Sequence, residues 1–282
     1  MRFVATLLLW LVTTVALAVA VPVLWAQHNV VSADGYAALA QSAAADPQLQ
    51  DAMASELTAK LVTLASNTGY DTDNSLLSAA ATAYTRSSVF PDQFALANRI
   101  AHQWMFTDTV RQSRDSPDRW EVDLGPMLAD GSFQQTLTSI GISVSALRNI
   151  PVEIAAPDSL RPGQLTVLAT WGPWASVGAG VLAGFFALMT LALARSRGRA
   201  LASLGVSALL VGAAGWAGLE VARRYISYAL NHTTGDIHEI ADVMVSHAET
   251  SLHQWLNLTL AAGGVLVVLG VIVSMLGGLR RN

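Results

Sequence analysis

The chain contains no cysteine. Disulfides, thiolate nucleophiles and cysteine-ligated zinc are excluded together. Any part folded outside a membrane is therefore held by its core alone. Charge is also scarce: 13% of residues are charged, against roughly 25% in soluble domains. No glycine-rich phosphate loop, P-loop or nucleophile elbow occurs, and the serines lack a local activating context. The sequence thus points to no cofactor and to no enzyme class by motif.

The charge deficit is concentrated. Phe3–Leu24, about 175–194, 201–219 and Leu256–Met275 are nearly free of charge. Each approaches the roughly 20 apolar residues that cross a 30 Å hydrocarbon core as a helix. Four transmembrane helices are expected. Arg2, then Arg195, Arg197 and Arg199, then Arg280 and Arg281 lie in short segments without Asp or Glu. Basic residues beside spans are retained in the cytoplasm, which puts both termini and the 195–199 loop inside. Trp25, Trp171, Trp174 and Trp255 fall at the opposite, outer ends of the spans, where amphipathic rings favour the headgroup layer. The first span has a rival reading. Ala16-Leu17-Ala18 and Ala18-Val19-Ala20 resemble signal-peptide cleavage sites, but the apolar run to Leu24 exceeds the usual 7–15 residues and favours an uncleaved anchor.

Residues 27–164 form a polar stretch long enough for one independent core. It carries 15 acidic and 8 basic residues, net −7, which argues against nucleic acid and anionic lipid as its partners. Ser32 is placed to cap a helix reaching Ala45, and Asp46-Pro47 to restart one. Leu49, Met53, Leu57, Leu61 and Leu64 then recur on one face, and Asn67 with Gly69 ends the run. A further helix is expected from Asn74 to Ser88, with Leu77, Ala80, Ala81 and Tyr84 inward. Phe90-Pro91 reads as a break before a helix from Asp92 to about Arg111, whose stripe is Phe94, Ala97, Ala101, Trp104 and Met105. Residues 120–124 and 151–154 alternate apolar and polar, as two paired, half-buried strands would, with a short helix ending near Gly141 between them.

The domain plan is an anchor at 1–26, an extracytoplasmic helical domain at 27–164 and a three-span region at 165–282. The last carries a protruding hairpin at about 223–255. The fold class is a mainly α membrane protein: four transmembrane helices plus a mostly helical domain with a small two-stranded element. In the hairpin, Asp236 and Glu239 form a capping-box pattern. Ile237, Ile240, Ala241, Met244, Ala248, Leu252 and Trp255 share one face, which marks them as interaction residues toward the 27–164 domain or a second copy of the chain. No breaker separates this helix from the fourth span.

Two sets of polar residues stand out. His238, Asp242, Glu249 and His253 fall within about 60° on a helical projection and are the candidate metal ligands, as two His–carboxylate pairs. The same projection centres them roughly 130° from the middle of the apolar face, where a solvated surface is the plainer reading, and His247 falls at the border. Asn98 with His102, and Glu220 with Arg223 and Arg224, read as structural polar groups, the latter an interfacial ion pair. Gly180 and Gly184, a GxxxG pair, and Gly212, Gly215 and Gly218 read as contacts between spans. Asn231 and Asn257 match the glycosylation pattern.

The succession of an N-terminal span, Asp46-Pro-Gln-Leu-Gln-Asp-Ala-Met-Ala-Ser-Glu-Leu-Thr58, Ala97-Asn-Arg-Ile-Ala-His102, Val122-Asp-Leu-Gly-Pro126, Ile150-Pro-Val and further spans resembles a group of uncharacterised actinobacterial integral membrane proteins. The likeness covers most of 1–195 and is weaker over the histidine-rich hairpin. It implies a bacterial plasma membrane and no particular activity. The sequence favours a non-enzymatic envelope protein whose outer domain meets a protein partner or an envelope component. A metal-assisted hydrolase at the outer leaflet and a transporter or transporter accessory subunit are the alternatives.

Overall fold

The computed structural model describes residues 2–68, 73–107, 119–122, 152–155, 163–230 and 235–279. The helices are α1 (Arg2–Ala26), α2 (Ala33–Ala43), α3 (Pro47–Thr68), α4 (Asn74–Thr85), α5 (Phe90–Phe106), α6 (Thr166–Leu193), α7 (Arg197–Leu230) and α8 (Asp236–Leu279). The chain divides into two units, 1–28 with 170–226 and 248–282, and 29–169 with 227–247.

The first unit is built from four helices long and apolar enough to cross a membrane. This is the organisation of a multi-pass membrane protein. Large apolar side chains such as Leu7, Leu11, Phe185, Leu188, Val265 and Val268 point outward and are exposed, as lipid-facing residues are. Trp171 and Trp174 are also exposed. α7 and α8 approach one another closely at glycines. A Cβ added at Gly205 would sit 2.6 Å from the Gly263 carbonyl oxygen, and one at Gly198 2.5 Å from the Ser274 nitrogen. A Cβ at Gly270 would meet the Ala202 backbone, and one at Gly212 would reach Leu260 at 2.6 Å. Gly198, Gly205 and Gly212 are seven residues apart, the spacing of a single seam along a helix, and small residues there let backbones touch. The GxxxG expectation needs correction. Gly180 has only Leu24 at 3.8 Å, and Gly184 and Gly218 face open space. Of the five glycines expected at contacts between spans, Gly212 and Gly215 do lie against α8, through Leu260 and Leu256.

Hydroxyls join α1 to α6 and α7. Thr14 Oγ1 lies 2.8 Å from Ser207 Oγ, and Thr13 Oγ1 3.4 Å from Thr190 Oγ1. Trp10 Nε1–H donates to the Ser203 carbonyl at 2.8 Å. Thr13, Thr190 and Ser207 are fully buried. Each also donates to a backbone carbonyl one turn back, so none is left without a partner in a medium that lacks water.

The second unit is a helical domain. Ser32 accepts from the Gly35 N–H at 3.4 Å and caps α2. Asp46 Oδ1 accepts from the Gln48 N–H at 2.9 Å at the start of α3, and Asp73 caps α4 through Ser75. Hydrogen bonds from the Ser75 backbone N–H and from the Ser75 side chain hold the Asp73 carboxyl below its usual pKa. Pro91 occupies the first turn of α5, where its missing N–H costs nothing. It therefore lies inside the start of the helix rather than breaking the chain before Asp92. The same helix stops at Phe106, because Thr107 is extended at φ −130°, short of the expected Arg111.

Ala40, Ala43, Ala44, Leu49, Phe90, Phe94 and Val243 form the core, with Met53, Tyr84, Ile240 and Met244 packed on it. The first turns of α8 are thus part of this domain. Tyr84 meets Phe90 edge-on at 5.7 Å, a favoured aromatic arrangement. This core is helical throughout, and the expected two-stranded element is not part of it. The expected strands at 120–124 and 151–154 fall among stretches that lie largely outside the described residues. The expected helix near Gly141 and Asn231 also lie outside them.

Candidate functional site

Above the glycine track, α7 and α8 are joined by polar and aromatic side chains. Leu256 is buried and lies against Gly215, which sets the helix separation at this level. One turn up, the Trp216 and His253 rings stack with centroids 3.9 Å apart and planes at 26°. Trp216 Nε1–H donates to Asn257 Oδ1 at 3.2 Å. Further along, Arg223 Nε lies 3.6 Å from Glu249 Oε2, the carboxylate side chain 11% exposed and the guanidinium 63%. Glu249 Oε1 is buried with no hydrogen-bond partner. Trp216, Glu220 and Arg223 fall within about 60° on α7, so Glu220 belongs to the same lane.

The sequence pairing of Glu220 with Arg223 and Arg224 is corrected. Among the described residues Glu220 and Arg224 make no ion pair, and Arg223 turns to Glu249. Helical spacing put Glu220 three and four residues from the arginines, but it carried no knowledge of the carboxylate across the seam. Trp216 is the member that sequence reading missed. It lies seven residues before Arg223, so a helical projection of α7 would have placed it on this face.

The four candidate metal ligands do not assemble. Among the described residues no group of three His, Asp or Glu is arranged to hold a metal ion. Glu249 and His253 are engaged by Arg223 and Trp216. His238 donates from Nδ1–H to the Leu230 carbonyl at 2.9 Å, tying the start of α8 to the end of α7, and Asp242 is exposed. His247 bridges at the border, 3.6 Å from Asp46 Oδ2 and 3.5 Å from Ser42 Oγ.

Of the apolar interaction residues, Ile240 and Met244 pack on the core of the helical domain, with Val243 buried among them. Ala248 and Leu252 are half-buried, and Trp255 meets His28 at 6.2 Å. Ile237 is 55% exposed. Ile240 and Met244 are thus taken up by the chain's own core, whereas Ile237 stays exposed.

The buried histidine of the domain is His102, 5% exposed. Its Nε2–H donates to the Val30 carbonyl at 2.8 Å, at the end of a π-helical turn (Gln27–Val31) between α1 and α2. Phe106 stacks on the ring at 4.0 Å and Tyr36 lies at 5.2 Å. Nδ1 is buried without a partner. Burial holds the imidazole below its ordinary pKa, against the opposing pull of the Val30 carbonyl, and burial raises the Tyr36 hydroxyl. Asn98 does not reach His102; its side-chain amide donates to the Phe94 carbonyl at 2.9 Å. Neutral, stacked and bonded to backbone, His102 ties α5 to the π turn.

No protein-family model matches the chain, and no curated protein or solved structure shows significant similarity to it.

Proposed function

We propose that this is a non-enzymatic plasma-membrane protein that presents a helical extracytoplasmic domain to a protein partner or an envelope component. The observation that carries this reading is the dual membership of α8. Its first turns supply Val243, Ile240 and Met244 to the domain core, and the same uninterrupted helix of 44 residues continues as a span. A domain that takes part of its core from a span helix is fixed to the membrane by its own folding, which suits a display platform. In this reading both termini and the 195–199 loop are cytoplasmic, as the positions of the arginines imply. In this reading the segments 119–122 and 152–155 would add a small two-stranded element to the displayed domain.

The test is in-cell photocrosslinking from Leu76 and Ile237, both large, apolar and exposed, with mass spectrometry of the adducts. One stoichiometric partner captured from either position supports the reading. Turnover of a substrate by the purified chain, abolished by a point change, would replace it with an enzymatic one.

A further inference from the structure

We propose that the α7 lane above the glycine track binds the headgroup of a zwitterionic phospholipid bearing a primary ammonium, a phosphoethanolamine group. Only the reading of α7 as a membrane span is needed, not the display function. Two opposite charges stand side by side there without pairing. Glu220 and Arg224 are exposed and four residues apart, yet neither makes an ion pair among the described residues. Glutamate four residues before a basic residue is the favourable order for pairing along a helix. Their separation leaves one carboxylate and one guanidinium open to an outside partner of matching, opposite polarity.

Arg223 adds a prepared donor. Glu249 engages its Nε, and among the described residues the terminal nitrogens of the exposed guanidinium have no ion-pair partner. Guanidinium groups receive phosphate oxygens through paired N–H bonds. With Glu249 neutralising Arg223 and Glu220 offsetting Arg224, the lane carries no net charge. That balance fits a zwitterion better than an anionic lipid.

Position supports the same occupant. α7 enters from its lipid-facing part, where Leu210 is 50% exposed, and continues with Val221 and Tyr225 outward at 54% and 74%. Helical side chains lean toward the N-terminus of their helix, and on α7 that direction is back toward the membrane. Arg223 and Arg224 follow Glu220 by three and four residues, one turn farther along α7. Trp216, stacked on His253, closes the lower end with an aromatic face suited to an ammonium.

The experiment is native mass spectrometry of the full chain, delipidated in detergent and titrated with phosphatidylethanolamine, phosphatidylcholine or phosphatidylglycerol of identical acyl chains. Retention of phosphatidylethanolamine is expected to exceed that of the other two by about three- to fivefold, the scale of one exposed ion pair. Glu220→Gln and Arg224→Gln are each expected to remove that preference. Both residues are exposed and make no ion pair among the described residues, so neither change removes a described contact. Equal retention of all three lipids would overturn the proposal. So would a preference untouched by both variants, or a phosphatidylglycerol preference abolished by Arg224→Gln alone, which would mark an anion site instead.

Discussion

His102 shows how one buried side chain converts pH into stability. Its folded-state pKa is lowered, so as pH falls the unfolded chain takes up a proton before the folded one does. The stability it supplies is complete above about pH 6.5, the ordinary histidine value, and is lost as pH falls from there through the lower folded pKa. Thermal unfolding of the full chain from pH 7.5 to pH 5 should therefore show a falling midpoint. His102→Gln should flatten part of that slope, and an unchanged slope would contradict the assignment. Arg223 acts by a different route. Its own pairing is exposed and worth little, but its removal strands a mostly buried carboxylate. Arg223→Met should cost about 1–3 kcal/mol, and adding Glu249→Gln should restore much of it, as read by unfolding in detergent.

Between elements, the decisive features are the glycine track and the path of α8. Gly205→Leu should loosen α7 from α8, because even a Cβ there falls within 2.6 Å of backbone. Gly184→Leu should be tolerated, because nothing lies within 4 Å of its Cβ position. Proteolysis and thermal stability in detergent distinguish the two. Leu49→Ala and Val243→Ala remove buried core side chains, the first costing about 2–5 kcal/mol and the second somewhat less for its smaller volume. A domain whose stability ignored Val243 would not use α8 as part of its core. Caps and periodicity made much of this legible beforehand. Ser32, Asp46-Pro47 and the capping pattern at Asp236 marked helix starts, and the stripe through Ile240 and Met244 faced the core. What periodicity could not supply were the partners across an interface. It gave Glu220 to Arg223 when Glu249 held that place, and it grouped four polar residues of which three meet separate neighbours and one, Asp242, is exposed. Pro91 misled because proline both breaks helices and begins them, and only the surrounding backbone decides which.

For the whole molecule, composition was the more reliable guide. The four charge-poor runs are four long apolar helices, and the polar stretch between the first two contains a packed helical core. Which side of the membrane holds that core depends on a charge asymmetry in three short segments and on nothing in its packing. The absence of cysteine makes this directly measurable. Single cysteines placed at Leu76 or Ile237, and in separate chains at Ser196, can be probed in intact cells with a membrane-impermeant maleimide. The account predicts that the first two label in intact cells and that Ser196→Cys labels only after permeabilisation. Labelling of Ser196→Cys in intact cells, with Leu76→Cys and Ile237→Cys protected, would turn the molecule over and contradict the display of an extracytoplasmic domain.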